Sequence, residues 1–146
     1  MWREKFGLNI DFMKSIIINL PKIQDPRGNL TFLQYPNQIP FQIRRTFWTY
    51  DVPGGEIRGG HAYHKQEEVI IALSGSFDVV ITNLCGSLQK MTLNRSYYGL
   101  YLPPKTWRHI ENFSTNALAF HVSSESFSTD DYIRNFEDFK ILLNEK

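Results

Sequence analysis

The stretch Gly55 to Gly75, GEIRGGHAYHKQEEVIIALSG, gathers two histidines, a tyrosine and three carboxylates into a short run. Imidazole exchanges protons near neutral pH, phenol donates a hydrogen bond, and a carboxylate can orient or neutralise either one. Side chains on a strand alternate with period two, so His61 and Tyr63 line one wall of whatever the strand encloses. The Glu67/Glu68 pair brings a carboxylate toward the same pocket. Gly59-Gly60, just ahead of His61, removes two side chains and keeps the approach to that wall open.

A second run, GLYLPPKTWRHIEN at 99–112, sets a proline turn before a segment bearing His109. His61, His109 and Glu68 together form a donor set that zinc, iron or manganese accepts. Tyr63 argues against such a site, because a neutral phenol is a poor ligand and its proton leaves only near pH ~10. His64 does not replace it on a regular strand, where adjacent side chains point to opposite faces; a bulge would have to re-aim it. The expectation is a pocket without metal. His121 alternates with Phe120 and Val122 and is expected to face inward, opposite to them.

The elements that must carry these residues read as strands. Short apolar runs recur between turn signals, the pattern of a sandwich or barrel. Ser15 to Leu20, Leu30 to Tyr35, Ile43 to Asp51, Glu68 to Leu73, Ser76 to Thr82, Leu88 to Leu93, Tyr97 to Leu102 and Ala117 to Ser123 are the expected strands. Asp25-Pro26-Arg27-Gly28-Asn29 is a turn, and Ser74-Gly75 predicts a hairpin between its flanking strands. Only the end reads as helix: Ser128-Thr129-Asp130 would cap a segment in which Tyr132, Ile133, Phe136, Phe139 and Leu142 recur at helical spacing.

Composition narrows the classes. A chain of 146 residues with 42% hydrophobic and 14% aromatic residues fits one domain with a single core, here 1–146. A net charge of +1 gives no reason to expect a nucleic-acid surface. The one cysteine, Cys85, excludes an internal disulfide and a multi-thiolate zinc site. No apolar run approaches a membrane span, and the opening MWREKFGLNI carries charges where a leader needs an apolar core. A soluble, cytoplasmic protein is expected.

The glycine, histidine and carboxylate spacing of the first run resembles the first conserved box of the cupin barrels, with Tyr63 where a second histidine usually stands. Arg58-Gly59-Gly60-His61-Ala62, Glu68-Val69-Ile70, Ser74-Gly75-Ser76, Gly99-Leu100-Tyr101, Trp107, Asn112-Phe113-Ser114 and Asp131-Tyr132-Ile133-Arg134 resemble the dTDP-sugar 3,4-ketoisomerases of that superfamily. Asp25 to Leu30 and Pro40 to Arg45 extend the likeness over nearly the whole chain beyond its first dozen residues. The resemblance implies an all-β, cupin-type jelly-roll barrel with a short C-terminal helix. It further implies a metal-independent and cofactor-free isomerase that turns a dTDP-linked 4-keto-6-deoxyhexose into its 3-keto isomer for amino-sugar and surface-glycan biosynthesis. A homodimer sharing edge strands is implied as well.

That reaction removes a proton from C3, passes through an enediolate and returns a proton at C4. His61 is the expected base, and Tyr63 the expected donor to the enediolate oxygen. Arg45 and Arg58 are expected to bind the diphosphate, with Arg27 a further candidate, since guanidinium matches phosphate two-pronged. His64, His109 and Tyr98 are the remaining expected substrate contacts; Phe47, Trp48 or Tyr98 could stack on thymine. The chain departs from the family pattern at Tyr63 and at Trp107-Arg108-His109, where many members have Trp-His-Glu. Two other readings stay open at this level: a nucleotide-sugar-binding cupin without catalysis, and a metal-dependent cupin enzyme.

Overall fold

The computed structural model describes residues 15–144. The charged opening that argued against an apolar leader lies outside the described residues. Twelve strands and a closing helix appear among those described. One five-stranded antiparallel sheet combines β1 (Ile16–Asn19), β9 (Tyr98–Leu102), β6 (Glu68–Ser74), β11 (Leu118–Ser123) and β4 (Arg45–Thr49), in that spatial order. The second combines β12 (Tyr132–Ile133), β5 (Arg58–Tyr63), β10 (Arg108–Glu111), β7 (Phe77–Thr82) and β8 (Leu88–Leu93). A small ribbon joins β2 (Lys22–Ile23) to β3 (Leu30–Thr31). The architecture is the expected all-β jelly roll with a C-terminal helix, α1 (Phe136–Asn144). No helix among the described residues is long and apolar enough to cross a membrane.

Strand β6, EVIIALS, is apolar on both faces because both are covered. Ile70 and Ala72 point inward to a core with Phe77, Val79, Leu100, Ile110 and Ala119. Val69 and Ile71 point outward beside Tyr101 and Val122 of the flanking strands, in one cluster with Ile39 and Phe41 from the segment before β4. The interior is therefore sealed by apolar side chains along most of its length. Only the end that holds Glu68, Tyr63, Arg108 and Ser123 carries polar residues inside.

Three expectations change. Strands β6 and β7 do not form a hairpin: they belong to opposite sheets, and Ser74-Gly75-Ser76 is a corner between them. Ser114 holds that corner, its hydroxyl accepting from the Ser76 amide at 2.8 Å, while Ser74 donates to the Asn116 carbonyl at 2.6 Å. The strand expected over Leu30 to Tyr35 is only Leu30–Thr31. The helix begins later than Ser128 suggested, because Tyr132–Ile133 pairs with β5 instead. Asn135 caps it, accepting the Asp138 amide at 3.1 Å.

Gly75 sits at φ +64, and a Cβ there would fall 2.5 Å from the Ser114 hydroxyl and 2.7 Å from Ala117 Cα. Gly55, at φ +87, would meet nothing within 4 Å. Both alanine variants carry the left-handed strain of about 1–2 kcal/mol. Gly75→Ala adds an overpacking cost of about 1–3 kcal/mol against backbone that cannot yield. Urea unfolding is expected to show Gly75→Ala clearly less stable than Gly55→Ala; equal midpoints would mean the corner relaxes freely.

Candidate active site

Residues opposite one another in an antiparallel ladder share a face, and this rule builds the site. On β5, His61 lies opposite Arg108 of β10, whose neighbour Ile110 is in the core. A register shift follows, three residues of β5 facing two of β10, at Gly59 with φ +75. This bulge puts Arg58 opposite Ile110, so Arg58, His61 and Tyr63 all project to the inner side. A glycine at the bulge tolerates the positive φ.

His61, Tyr63 and Tyr132 form one aromatic cluster. The His61 ring meets Tyr63 edge-on at 4.8 Å between centroids and Tyr132 at 5.0 Å; the two tyrosine rings are 4.7 Å apart. Across the barrel, Glu68 projects from β6 and is fully buried. One carboxylate oxygen pairs with the Arg108 guanidinium and the other with His121 Nδ1. Arg108 also lies over the Tyr63 ring at 4.6 Å. His121 stacks flat on Phe47, 4.3 Å between centroids and 7° from parallel. At the rim, Arg45 donates to Gln66 Oε1 at 2.9 Å, with Phe47 and Phe127 beneath its guanidinium.

Burial sets the protonation states. It lowers the His61 pKa from 6.5 to about 3, helped by the positive charge of Arg108 and opposed by Glu68, so the ring is neutral. Burial, with the Glu68 charge next, pushes the Tyr63 phenol well above its ordinary value, so it keeps its proton. Burial alone would raise Glu68; the charges of Arg108 and His121 outweigh it and hold the carboxylate ionised.

Several expected residues lie elsewhere. Glu67 faces outward and accepts from the Tyr101 hydroxyl at 2.6 Å. His109 sits on the outer face of β10, beside Glu111 at 3.0 Å, because its neighbours Arg108 and Ile110 take the inner face. His64 is exposed after the end of β5. Tyr98 bonds to Asn94 at 2.6 Å in the turn between β8 and β9. Arg27 is exposed in the β2–β3 turn, its fork already on Asp25 at 2.9 and 3.1 Å. The set His61, Glu68, His64 and His109 does not converge on one point. Trp48 packs on Phe120 outside the sheet.

Arg108, Tyr132, Gln66 and Phe127 join the site without having been singled out as contacts. Strand parity could have found Arg108, since an inward Ile110 implies an inward Arg108. Tyr132 was hidden by the helical spacing of its neighbours, and Gln66 by a loop with no periodicity.

Residues 13–144 match the family described as FdtA: WxcM-like, C-terminal. The TDP-4-oxo-6-deoxy-alpha-D-glucose-3,4-oxoisomerase of Aneurinibacillus thermoaerophilus is 35% identical over 128 residues, 88% of this chain and 91% of that protein. A 3,4-ketoisomerase structure from Helicobacter canadensis superposes with a TM-score of 0.86 at 32% identity, covering 91% of this chain and 99% of the other. QdtA, a sugar 3,4-ketoisomerase from Thermoanaerobacterium thermosaccharolyticum in complex with TDP, gives 0.86 at 28% identity, with coverage of 90% and 95%.

The His61 shift couples the site to folding. The folded imidazole stays neutral down to about pH 3, whereas an unfolded one titrates near 6.5, so the unfolded chain binds more protons between those values. Stability from the neutral ring is whole above pH 6.5 and is lost as the pH falls. Glu68 contributes a loss of the same sign, below its ordinary 4.5. Between pH 6.5 and 4.5 the urea midpoint is expected to fall more steeply for the wild type than for His61→Asn. Parallel slopes in that window would mean that His61 keeps its solution pKa.

Proposed function

The chain belongs to the FdtA family of TDP-sugar 3,4-ketoisomerases and interconverts the 4-keto and 3-keto forms of a TDP-linked 6-deoxyhexose; we propose that His61 starts this reaction as its base and that Tyr63 donates to the charge it creates. The observation that carries the assignment is the His61 Nε2 atom, buried and without a hydrogen-bond partner beside the Tyr63 ring edge. A neutral imidazole with a free lone pair can accept a proton from carbon without first losing one.

The C4 carbonyl acidifies the C3 hydrogen. His61 takes that proton, the C–H electrons form a C3–C4 double bond, and the carbonyl electrons move onto O4. The oxyanion then needs a donor in a site shielded from water, and the protonated Tyr63 phenol supplies one. When a proton is returned to C4 and the O3 hydrogen passes to O4, the double-bond electrons rest as a carbonyl at C3. Atoms and charge balance without an external oxidant. Arg58, exposed on the same side of β5 as His61, is suited to the diphosphate, with Arg45 at the rim as a second contact.

His61→Asn is expected to abolish turnover of TDP-4-keto-6-deoxyglucose while TDP affinity stays within about threefold, since asparagine hydrogen-bonds but accepts no proton near neutral pH. In the same assay Tyr63→Phe is expected to lower kcat by about 10²–10³ with TDP affinity kept. Wild-type kcat in either variant removes that residue from the mechanism.

We also infer a homodimer. Among the described residues the outer strands β1 and β4 have no partner on their outer edges, and Ile17, Trp48 and Tyr50 on or beside them are large apolar side chains with much exposed surface. Pairing with a second copy would cover both features. Light scattering is expected to give twice the chain mass of 17.1 kDa; a monomer at micromolar concentration would rule the pairing out.

A further inference from the structure

We propose that His121 is the second proton-transfer residue, an imidazole on β11 aimed by Glu68 so that its Nε2 returns the proton to C4. The inference rests on the isomerase reading above and adds a residue and a division of labour to it. It starts from an unmade bond. His121 Nε2 is buried without a hydrogen-bond partner, in a residue only 4% exposed. Buried polar atoms are nearly always paired, so an orphan inside the barrel beside the Glu68 cluster points to a ligand atom.

The ring has no freedom to turn away. Phe47 lies flat against it, and Nδ1 is held by the Glu68 carboxylate. A carboxylate only accepts, so Nδ1 carries the hydrogen and Nε2 is the atom left for chemistry. When Nε2 also takes a proton, Glu68 is already in place as counter-ion. His121 lies opposite Ile70 of β6, an inward residue, and therefore projects into the barrel. Its Nε2 and that of His61 thus enter the same interior from opposite sheets.

The reaction moves protons at two adjacent carbons. The surroundings assign one imidazole to each. His61 stands opposite Arg108, a fixed positive charge that disfavours a second one, and begins neutral. His121 stands against Glu68, a fixed negative charge. In a turnover that begins with His121 also protonated at Nε2, His61 takes the C3 proton to give the enediolate, and His121 then gives its Nε2 proton to C4. The ring nitrogens then exchange one proton with solvent, His61 releasing and His121 gaining, which restores the starting state.

The test uses His121→Asn, whose amide N–H can still donate to Glu68 while Nε2 is gone. TDP-4-keto-6-deoxyglucose is followed by NMR in deuterated water, reading deuterium at C3 of unconverted substrate and formation of the 3-keto product separately. The expected result, in a variant that still unfolds cooperatively in urea, is C3 exchange within about tenfold of wild type and product formation down by about 10²–10⁴. If the asparagine variant does not fold, His121→Gln is read the same way. Product formation at the wild-type rate in either folded variant, or equal loss of exchange and product, overturns the assignment. A wild-type chain that neither exchanges C3 nor forms product overturns the isomerase reading itself.

Discussion

The buried carboxylate of Glu68 is the constraint on which the site depends. A charge in that position is tolerable only if it is paired on both oxygens, and the two partners come from different places. Arg108 reaches it from the facing sheet, and His121 from the neighbouring strand of its own sheet. The pair therefore ties the two sheets at the one end of the barrel that apolar packing does not seal. It also fixes Arg108 above Tyr63, and through the β10–β5 ladder it fixes the wall that bears His61. Removing one partner of such a pair typically costs about 3–5 kcal/mol, because the remaining charge stays buried.

The distribution of unpaired polar atoms separates architecture from function. The buried side-chain nitrogens without partners among the described residues are Arg45 Nε, His61 Nε2, Gln66 Nε2 and His121 Nε2. Each such vacancy costs about 1–3 kcal/mol, and none of them lies in the apolar core. They belong to the side chains around Glu68 or at the rim beside it. Elsewhere the fold pairs its polar groups carefully; Asp78, for example, is nearly buried yet accepts from both Thr92 and Asn112. Among the described residues, buried side-chain polar atoms lack partners only at this end of the barrel, the place where a ligand's polar groups could pair them.

Much of this was legible in the sequence, and the gaps have physical causes. The alternation of His61 and Tyr63, the inward turn of His121 and the inward Glu68 follow from period two alone. The apparent Ser74-Gly75 hairpin misled because a glycine at positive φ serves a corner between sheets as well as a hairpin turn; only partner strands distinguish the two. His109 misled because a histidine draws attention, while the parity set by Ile110 gave the inner place to Arg108. Arg58 could not be placed by counting, since the bulge at Gly59 changes its face. Tyr132 packs on His61 only because β12 adds itself to β5, a non-local pairing that helical spacing conceals.

Two histidines in one pocket would be interchangeable by residue type, and what distinguishes them is a single ion pair. Arg108 presents its positive end toward the His61 strand, and Glu68 presents its negative end to His121. The same bond thus helps keep one imidazole neutral, with its lone pair free, and supplies a counter-ion to the other. Tyr63 completes the arrangement by what it does not do. Burial and the nearby carboxylate hold its proton in place, so in the proposed reaction it can donate without competing for the proton that the imidazoles move. In the proposed reaction, phenol rather than a third imidazole at position 63 keeps the proton inventory of the pocket unambiguous, with one base, one acid and one fixed donor for the two reacting carbons.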